Sequence, residues 1–293
     1  MAEKQWDGTT YGNGLMHRWL IGILRRIDVR CIYVFAYIFV VPPCLFRRGF
    51  RFIYRYFRER FGESPLVAFW HAYVNHCLFA EVVIDKFAMY AGRKFDVEIE
   101  GFDHFQHLTN QEAGFIQLSS HMGNYEIAGY SLVTDKKRIN AVVYFGEKST
   151  VMMNRMRLFS HTNVGMIPIR EDMSHLFEID RSLSDGEIIS IPGDRIWGSQ
   201  KVLRAEFLGK EARFPMGPYS VASMRGLDVL AVNVMKVSWT CYKIYVTPLA
   251  YDKEAPRKRQ TDQLLHAYVA ELERLLALYP TQWYNYFDFW KND

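Results

Sequence analysis

The sequence predicts an α/β fold, a sheet flanked by helices. From residue 97 onward, short apolar runs alternate with helical stretches, the pattern expected of strands joined by crossover helices. With 293 residues, 49% of them hydrophobic, the chain can bury a large core. The four cysteines are scattered and form no Cys-x-x-Cys pair, which argues against a disulfide framework or a zinc knuckle.

Seven strands and several helices follow from this periodicity. The predicted strands are Val97–Ile99, Phe115–Leu118, Asn140–Phe145, Met166–Ile169, Ile188–Ile191, Val229–Met235 and Tyr242–Thr247. Helices are predicted near 124–133, 149–160, 173–184, 217–226 and 261–279, and a long apolar helix over 66–92 ends at Gly92.

The N-terminal part differs from the rest in charge. Residues 1–62 carry eleven Lys and Arg against four acids, a net charge of +7, whereas the remaining chain carries −3. Residues 1–13 read as a surface arm, and residues 14–30 predict a basic amphipathic helix that includes Trp19. Such a helix suits an anionic membrane surface; the alternative is a helix that docks its apolar side on the domain.

Residues 31–46 carry no charge and are flanked by arginines. Sixteen helical residues span about 24 Å, less than the hydrocarbon core of a bilayer. They predict a short span or, as we favour, a hairpin dipping into one leaflet. Residues 47–62 interleave bases and aromatics, a pattern of single-stranded nucleic-acid binders or, beside an apolar run, of a lipid headgroup zone. We favour the headgroup zone, and predict no nucleic-acid partner.

The first chemical motif is His121-x4-Glu126, directly after the predicted strand 115–118. On one helix the two side chains would point about 140° apart, so we expect His121 on a loop and Glu126 in the next helix's first turn. Gly123 suits a tight turn and Asn124 an N-cap. The pair predicts a general base oriented by a carboxylate; a structural histidine is the competing interpretation.

A second motif, Gly193-Asp194-Arg195, follows the predicted strand 188–191. Ligands of open α/β sheets gather at such strand ends, so both motifs would line one cleft if their strands are neighbours. The alternative is an ion pair that caps a strand. Pro215 and Gly217 precede a further helix, whose free amides could face an anion or an oxyanion, or simply begin an ordinary helix.

Together these motifs resemble the late acyltransferase family of lipid A biosynthesis, within the glycerolipid-acyltransferase-like group. The resemblance covers most of the chain in the family's order. The segments that carry it are His121-x4-Glu126, Gly193-Asp194-Arg195, Phe207-Leu208-Gly209, Phe214-Pro215-x-Gly217-Pro218 and the C-terminal run Pro280 to Trp290.

This resemblance implies a glycerol-3-phosphate-acyltransferase-like mixed sheet at 63–293, preceded by a membrane anchor at 1–62. It implies acyl transfer from an acyl carrier protein, favoured over coenzyme A, to a hydroxyl or amine of a lipid. His121 would be the base and Glu126 its orienting group. The implied location is the cytoplasmic face of a bacterial inner membrane, with no metal or cofactor. The implied substrate-binding residues are Asn124, Arg155, Asp194, Arg195, Pro215 and Gly217.

The acceptor is less defined than the reaction. Gly193-Asp194-Arg195 and the Trp283-x-Asn285-aromatic ending look closer to relatives associated with aryl-polyene or flexirubin-type lipids than to enzymes acting on lipid A. The chain has no Gly-x-Ser-x-Gly elbow and no His-Glu-x-x-His helix. A non-catalytic membrane lipid-binding protein is the alternative of another class, and the role of His121 distinguishes the two.

Overall fold

A computed structural model describes residues 14–144, 149–160, 162–170, 172–196 and 201–291. The predicted arm at 1–13 and the predicted strand end at Phe145 lie outside them. The chain begins with α1 (Gly14–Leu24) and α2 (Val29–Phe35). A π turn (Ala36–Val40) and a 3₁₀ turn (Pro42–Phe46) extend α2, and α3 (Arg48–Arg60) and α4 (Pro65–Tyr90) follow.

Seven strands form one mixed sheet. They are β1 (Asp96–Glu100), β2 (Phe115–Ser119), β3 (Ile139–Tyr144), β4 (Val164–Ile169), β5 (Ile188–Pro192), β8 (Val229–Lys236) and β9 (Cys241–Pro248). Their order in the sheet is β1-β9-β8-β2-β5-β3-β4. The β8–β9 pair is antiparallel and the other neighbours are parallel. The α/β sheet predicted from the sequence is therefore confirmed.

The remaining helices join and cover these strands. They are α5 (Phe102–Thr109), α6 (Ala128–Ser131), α7 (Ser149–Phe159), α8 (His175–Ser184), α9 (Met216–Arg225) and α10 (Arg257–Leu278). All eight residues of β8 are buried, as expected for a central strand covered on both sides. One core cluster contains residues of α3, α9 and α10, and the other contains residues of α1, α2 and α5. The helix α4 contributes to both.

A two-stranded hairpin outside the main sheet was not predicted. It consists of β6 (Val202–Phe207) and β7 (Lys210–Pro215), paired antiparallel. The turn between them places Leu208 and Gly209 at φ of 51° and 72°, and only the glycine adopts such a conformation without strain. From the sequence, Pro215 and Gly217 predict only the helix that follows them, so α9 was expected and the two strands before it were not.

The predicted helix over 14–30 is interrupted. It ends at Leu24, and Asp28 caps a new helix by accepting a hydrogen bond from the Arg30 backbone N–H at 2.8 Å. Along α1, Trp19 is 68% exposed and Met16 59%, whereas Leu24 is buried. Much of the apolar side of this helix is therefore exposed in the part of the chain that the structure describes.

The favoured hairpin at 31–46 is wrong, because the backbone stays helical from Val29 to Phe46. The two prolines begin the 3₁₀ turn and do not reverse the chain at that point. Val29, Tyr33 and Ala36 are buried, while Phe39 and Phe46 are exposed. This helix and α4 are the two in the described part of the chain that are long and apolar enough to cross a membrane.

Three of the six aromatic rings in 47–62 are buried, which corrects the expected interfacial position for those three. Phe50, Tyr56 and Phe57 are buried in the core, where Phe50 packs edge-on against Phe69 of α4 at 5.3 Å between ring centroids. The arginines of α3 lie mostly on its exposed side. The alternation of rings and bases thus reflects the two sides of an amphipathic helix.

The loop after β2 depends on one glycine, which gives a direct test of the fold. Gly123 has φ of 55°, and a Cβ built there would overlap the carbonyl oxygen of Val234 in β8. We expect Gly123→Ala to lower the free energy of unfolding by at least ~3 kcal/mol, since strain and backbone overlap add, as measured by urea unfolding.

Gly22→Ala is the matched control. Gly22 lies inside α1, and a Cβ added there would meet no atom within 4 Å. The substitution should therefore stabilise the helix by about 0.5–1 kcal/mol. Equal effects of the two substitutions would contradict the described loop.

Candidate active site

Two neighbouring parallel strands bring the predicted motifs together. In the register of β2 and β5, Ser119 lies opposite Pro192, and the Gly193 N–H donates to the Ser119 carbonyl at 2.9 Å. Because the strands run in the same direction, His121 and Asp194 leave the sheet at the same edge. The two strands are neighbours, as required for both motifs to lie at one site.

Asp194 holds the imidazole of His121. Its Oδ1 lies 2.8 Å from Nδ1 of His121, and its Oδ2 accepts the His121 backbone N–H at 2.8 Å. An ionised carboxylate only accepts hydrogen bonds, so Nδ1 carries the proton and Nε2 presents a lone pair. The imidazole is 23% exposed and Asp194 is buried, and Asp194 occupies Nδ1 and not Nε2.

The electrostatics favour a neutral histidine beside an ionised aspartate. Burial lowers the pKa of His121, the positive charge of Arg195 lowers it further, and Asp194 opposes both. Burial would raise the pKa of Asp194, but the contacts with His121 and the charge of Arg195 outweigh it and hold that pKa below its usual value. Near neutral pH, His121 is therefore a proton acceptor.

Glu126 does not contact His121 in this arrangement, which corrects the predicted pairing. Its Oε1 accepts hydrogen bonds from Nη2 of Arg155 at 2.6 Å and Nζ of Lys86 at 2.9 Å. As expected, His121 lies in the loop and Glu126 in the helical turn that follows it, a 3₁₀ turn (Tyr125–Ile127). The Glu126 side chain, however, points toward α4 and α7. Burial opposes ionisation of Glu126, yet Arg155 and Lys86 hold its pKa at about 2.

Tyr125 precedes Glu126 in sequence and lies beside His121 in space. Its ring centroid lies 6.2 Å from that of His121. Tyr125 is 48% exposed. An exposed aromatic ring thus adjoins the His121–Asp194 pair.

Asn124 occupies the expected helix-start position without capping it. Its side chain makes no capping hydrogen bond and is buried, with Nδ2 3.4 Å from the Tyr242 hydroxyl. The Asn124 backbone N–H donates to Val234 of β8 at 2.9 Å. Asn124 therefore anchors the loop in the core, and its contact with a substrate stays a prediction.

The C-terminal segment fixes the His121 loop from the other side. The Gly123 N–H donates to the Gln282 carbonyl at 2.8 Å, and the Tyr284 N–H donates to the His121 carbonyl at 3.1 Å. Arg195 donates to the Tyr284 carbonyl at 3.3 Å and lies over the ring of Phe287 at 5.5 Å. The aromatic ending singled out in the sequence is thus part of the site's frame.

Pro215 and Gly217 lie where β7 passes into α9, as the sequence predicts. A Cβ at Gly217 would meet no atom within 4 Å, whereas the preceding Met216 N–H donates to the Lys201 carbonyl at 3.2 Å. Two residues later, the Tyr219 hydroxyl donates to the Gly193 carbonyl at 2.8 Å. This bond ties α9 to the strand end that carries Asp194.

Sequence reasoning missed several side chains that hold the strand ends and Glu126 in place. The Tyr268 hydroxyl donates to the Ser119 carbonyl at 2.7 Å, and a Cβ at Gly193 would crowd the rings of both Tyr219 and Tyr268. Lys86 was also missed. Its signal was available, since Glu81, Asp85 and Lys86 are charged residues within an otherwise apolar helix.

No group of three or more His, Cys, Asp or Glu side chains suited to a metal ion occurs among the described residues.

The family of the chain follows from a comparison with protein-family models. The model of the bacterial lipid A biosynthesis acyltransferase family matches residues 80–292. The chain belongs to this family. The matched region begins within α4 and contains His121, Glu126, Arg155 and Asp194, and the family implies acyltransferase activity. No curated protein matches the sequence.

The buried carboxylate of Glu126 predicts a pH-dependent stability difference. Because its pKa in the folded chain, about 2, lies below its ordinary 4.5, its stabilisation is complete above pH 4.5 and is lost as the pH falls toward 2. We expect Glu126→Gln to lower the free energy of unfolding by about 3 kcal/mol at pH 7, with the difference shrinking steadily between pH 5 and pH 3 in urea unfolding.

The control is Glu178→Gln, which removes an exposed ion pair with Arg170 at 2.7 Å and should cost less than about 1 kcal/mol. A Glu126→Gln deficit that stays constant over this pH range would contradict the two-cation arrangement.

Proposed function

We propose that this chain transfers a fatty acyl group from a thioester to a hydroxyl of a membrane lipid, with His121 as general base. The observation that carries the proposal is the His121–Asp194 pair, in which Asp194 is buried and the His121 side chain is 23% exposed, in a chain of the lipid A acyltransferase family. The tautomer and the lowered pKa of His121 are what a base acting near neutral pH requires.

The proposed reaction needs one proton shuttle. Nε2 of His121 takes the proton from the acceptor hydroxyl while its oxygen attacks the thioester carbonyl carbon. The tetrahedral intermediate collapses, the carbon–sulfur bond breaks, and the leaving thiolate receives the proton from the imidazolium. An ester and a free thiol result, without a covalent acyl-enzyme. Asp194 keeps the ring oriented and stabilises its charged form, as in other carboxylate–histidine pairs.

The cations of the site are proposed to receive the polar parts of the substrates. Arg155 and Lys86 are held by Glu126, so we assign to Glu126 the task of fixing these cations. Arg195, next to Asp194, is proposed to bind substrate there. Pro215 and Gly217, at the start of α9, are proposed to bind substrate, with the Gly217 backbone N–H facing the developing oxyanion or an anionic group.

Membrane attachment is proposed through the N-terminal helices. Exposed apolar side chains are concentrated on α1, on the helix Val29–Phe46 and at the start of α4, and such surfaces mark membrane or protein contact. The residues include Trp19, Phe39, Phe46, Leu66 and Trp70, which are 59–88% exposed. We propose that this surface lies on the cytoplasmic face of the inner membrane, with residues 1–62 as anchor and 63–293 as acyltransferase domain.

The donor is proposed to be an acyl carrier protein in preference to coenzyme A, and the acceptor a lipid A-type lipid. An aryl-polyene, flexirubin-type or amine-bearing lipid is the alternative acceptor, suggested by Gly193-Asp194-Arg195 and the Trp283-x-Asn285 ending.

The test compares lipid extracts, by mass spectrometry, of a strain lacking this gene and complemented with wild type, His121→Ala or His104→Ala. His104 lies exposed on α5 and serves as the matched control. We expect one lipid to gain the mass of an acyl chain with wild type and His104→Ala and not with His121→Ala, and the mass identifies the acceptor. Restoration of the same lipid by His121→Ala would exclude His121 as the base and favour a lipid-binding role.

A further inference from the structure

A buried cluster of charges lies between the N-terminal helices and the His121 loop. Its centre is the ammonium of Lys236, the last residue of β8. Nζ of Lys236 lies 2.6 Å from Oε2 of Glu81, 2.6 Å from Oδ2 of Asp85 and 3.0 Å from the Tyr33 hydroxyl. Lys236, Glu81 and Asp85 are each at most 6% exposed.

Tyrosine hydroxyls complete the hydrogen bonding of both carboxylates. Tyr37 donates to Glu81, whereas Tyr33 and Tyr242 donate to Asp85. The ammonium also lies 4.3 Å from the centroid of the Tyr33 ring, within the range of a cation–π contact. The hydrogen-bond partners of these charges thus come from the helix Val29–Phe46, α4, β8 and β9.

One side of this cluster belongs to the helix Val29–Phe46. Tyr33 and Tyr37 lie one helical turn apart and point from that helix into the cluster. The opposite side of the helix exposes Phe35 and Phe39, whose ring centroids lie 5.0 Å apart. One side of the helix therefore directs tyrosine hydroxyls at the buried charges, and the opposite side exposes phenylalanine rings.

The other side of the cluster leads directly to the His121 loop. The side-chain amide of Gln282 binds both backbone groups of Lys236, accepting from the N–H at 2.9 Å and donating to the carbonyl at 2.7 Å. The backbone carbonyl of Gln282 accepts the Gly123 N–H. A second route runs from Asp85 through the Tyr242 hydroxyl to the side chain of Asn124.

The shared helix α4 strengthens this connection. Asp85 belongs to the Lys236 cluster, and the next residue, Lys86, binds Glu126 beside the candidate site. Buried ion networks contribute little net stability compared with apolar packing, and they are used in several systems to fix one arrangement. A displacement of about 1 Å at a catalytic group costs up to about 100-fold in rate.

We propose that the Lys236 cluster couples the seating of the helix Val29–Phe46 to the position of the His121 loop, with Lys236, Tyr33 and Tyr37 as positioning residues. The proposal rests on the proposed acyl transfer. When the helix lies in place, its hydroxyls complete the cluster, and Gln282 and Tyr242 hold Gly123 and Asn124. When it is displaced, Glu81 and Asp85 lose partners, and the loop that carries His121 loses its fixed support.

The experiment uses the full chain with Tyr33→Phe and Tyr37→Phe, which remove only the hydroxyls, and Lys236→Met. Tyr73→Phe is the matched control, because the Tyr73 hydroxyl joins the same two helices by donating to the Tyr37 backbone carbonyl at 2.9 Å and lies outside the Lys236 contacts. Three quantities are measured: kcat and KM for acyl transfer, and the ¹³C NMR signal of His121, assigned among the nine histidines by its loss in His121→Ala.

We expect each tyrosine substitution in the cluster to lower kcat about tenfold with KM unchanged, and Lys236→Met to lower it by about 100-fold. The His121 signal should shift in all three variants, whereas Tyr73→Phe should have the wild-type kcat and the wild-type His121 signal. Should Lys236→Met fail to fold, the tyrosine variants still decide the matter.

Wild-type kcat and an unshifted His121 signal in Tyr33→Phe and Tyr37→Phe would overturn the coupling. Equal losses in Tyr73→Phe would overturn the role of the Lys236 cluster, since any hydrogen bond between the two helices would then have the same effect on His121. If wild type transfers no acyl group, the proposed function fails, and the His121 signal alone then decides whether the coupling exists.

Discussion

The parallel pairing of β2 with β5 is the constraint on which the site depends. It places two chain segments, 73 residues apart in sequence, at one edge of the sheet, with His121 following one strand and Asp194 the other. The backbone and the imidazole of His121 bind the two oxygens of the same carboxylate. Both the position and the tautomer of His121 are therefore set by one side chain that follows a neighbouring strand.

The long helix α4 organises the charges behind this edge. It supplies Lys86 to Glu126 on one side and Asp85 and Glu81 to Lys236 on the other. Asn75, further toward its start, donates to the backbone carbonyls of Thr281 and Trp283 at 2.9 Å each. One helix thus connects the N-terminal segment, the histidine loop and the C-terminal segment, although its apolar composition could also suggest a membrane span.

The sequence was sufficient to predict the main sheet and the strand-end positions of the motifs, because apolar runs and glycines determine these locally. The sequence alone did not identify the carboxylate that binds the His121 imidazole. Glu126 is close in sequence, but the direction of its side chain depends on Lys86 and Arg155, which come from α4 and α7. The hairpin β6–β7 was missed because a third of its residues are exposed and charged. Three rings of α3 were misplaced because alternating bases and rings fit both a membrane interface and a core-facing helix.

The measurement that tests the account most directly compares Asp194→Asn with Glu126→Gln in single-turnover acyl transfer by the purified chain. In Asp194→Asn the amide donates to Nδ1, the proton moves to Nε2 and the base is lost, so we predict a fall in rate of about 10³–10⁴-fold. Glu126→Gln leaves the imidazole oriented and should retain a far larger share of the rate at saturating substrate. A larger loss in Glu126→Gln than in Asp194→Asn would contradict the assignment of Asp194 as the carboxylate that orients His121.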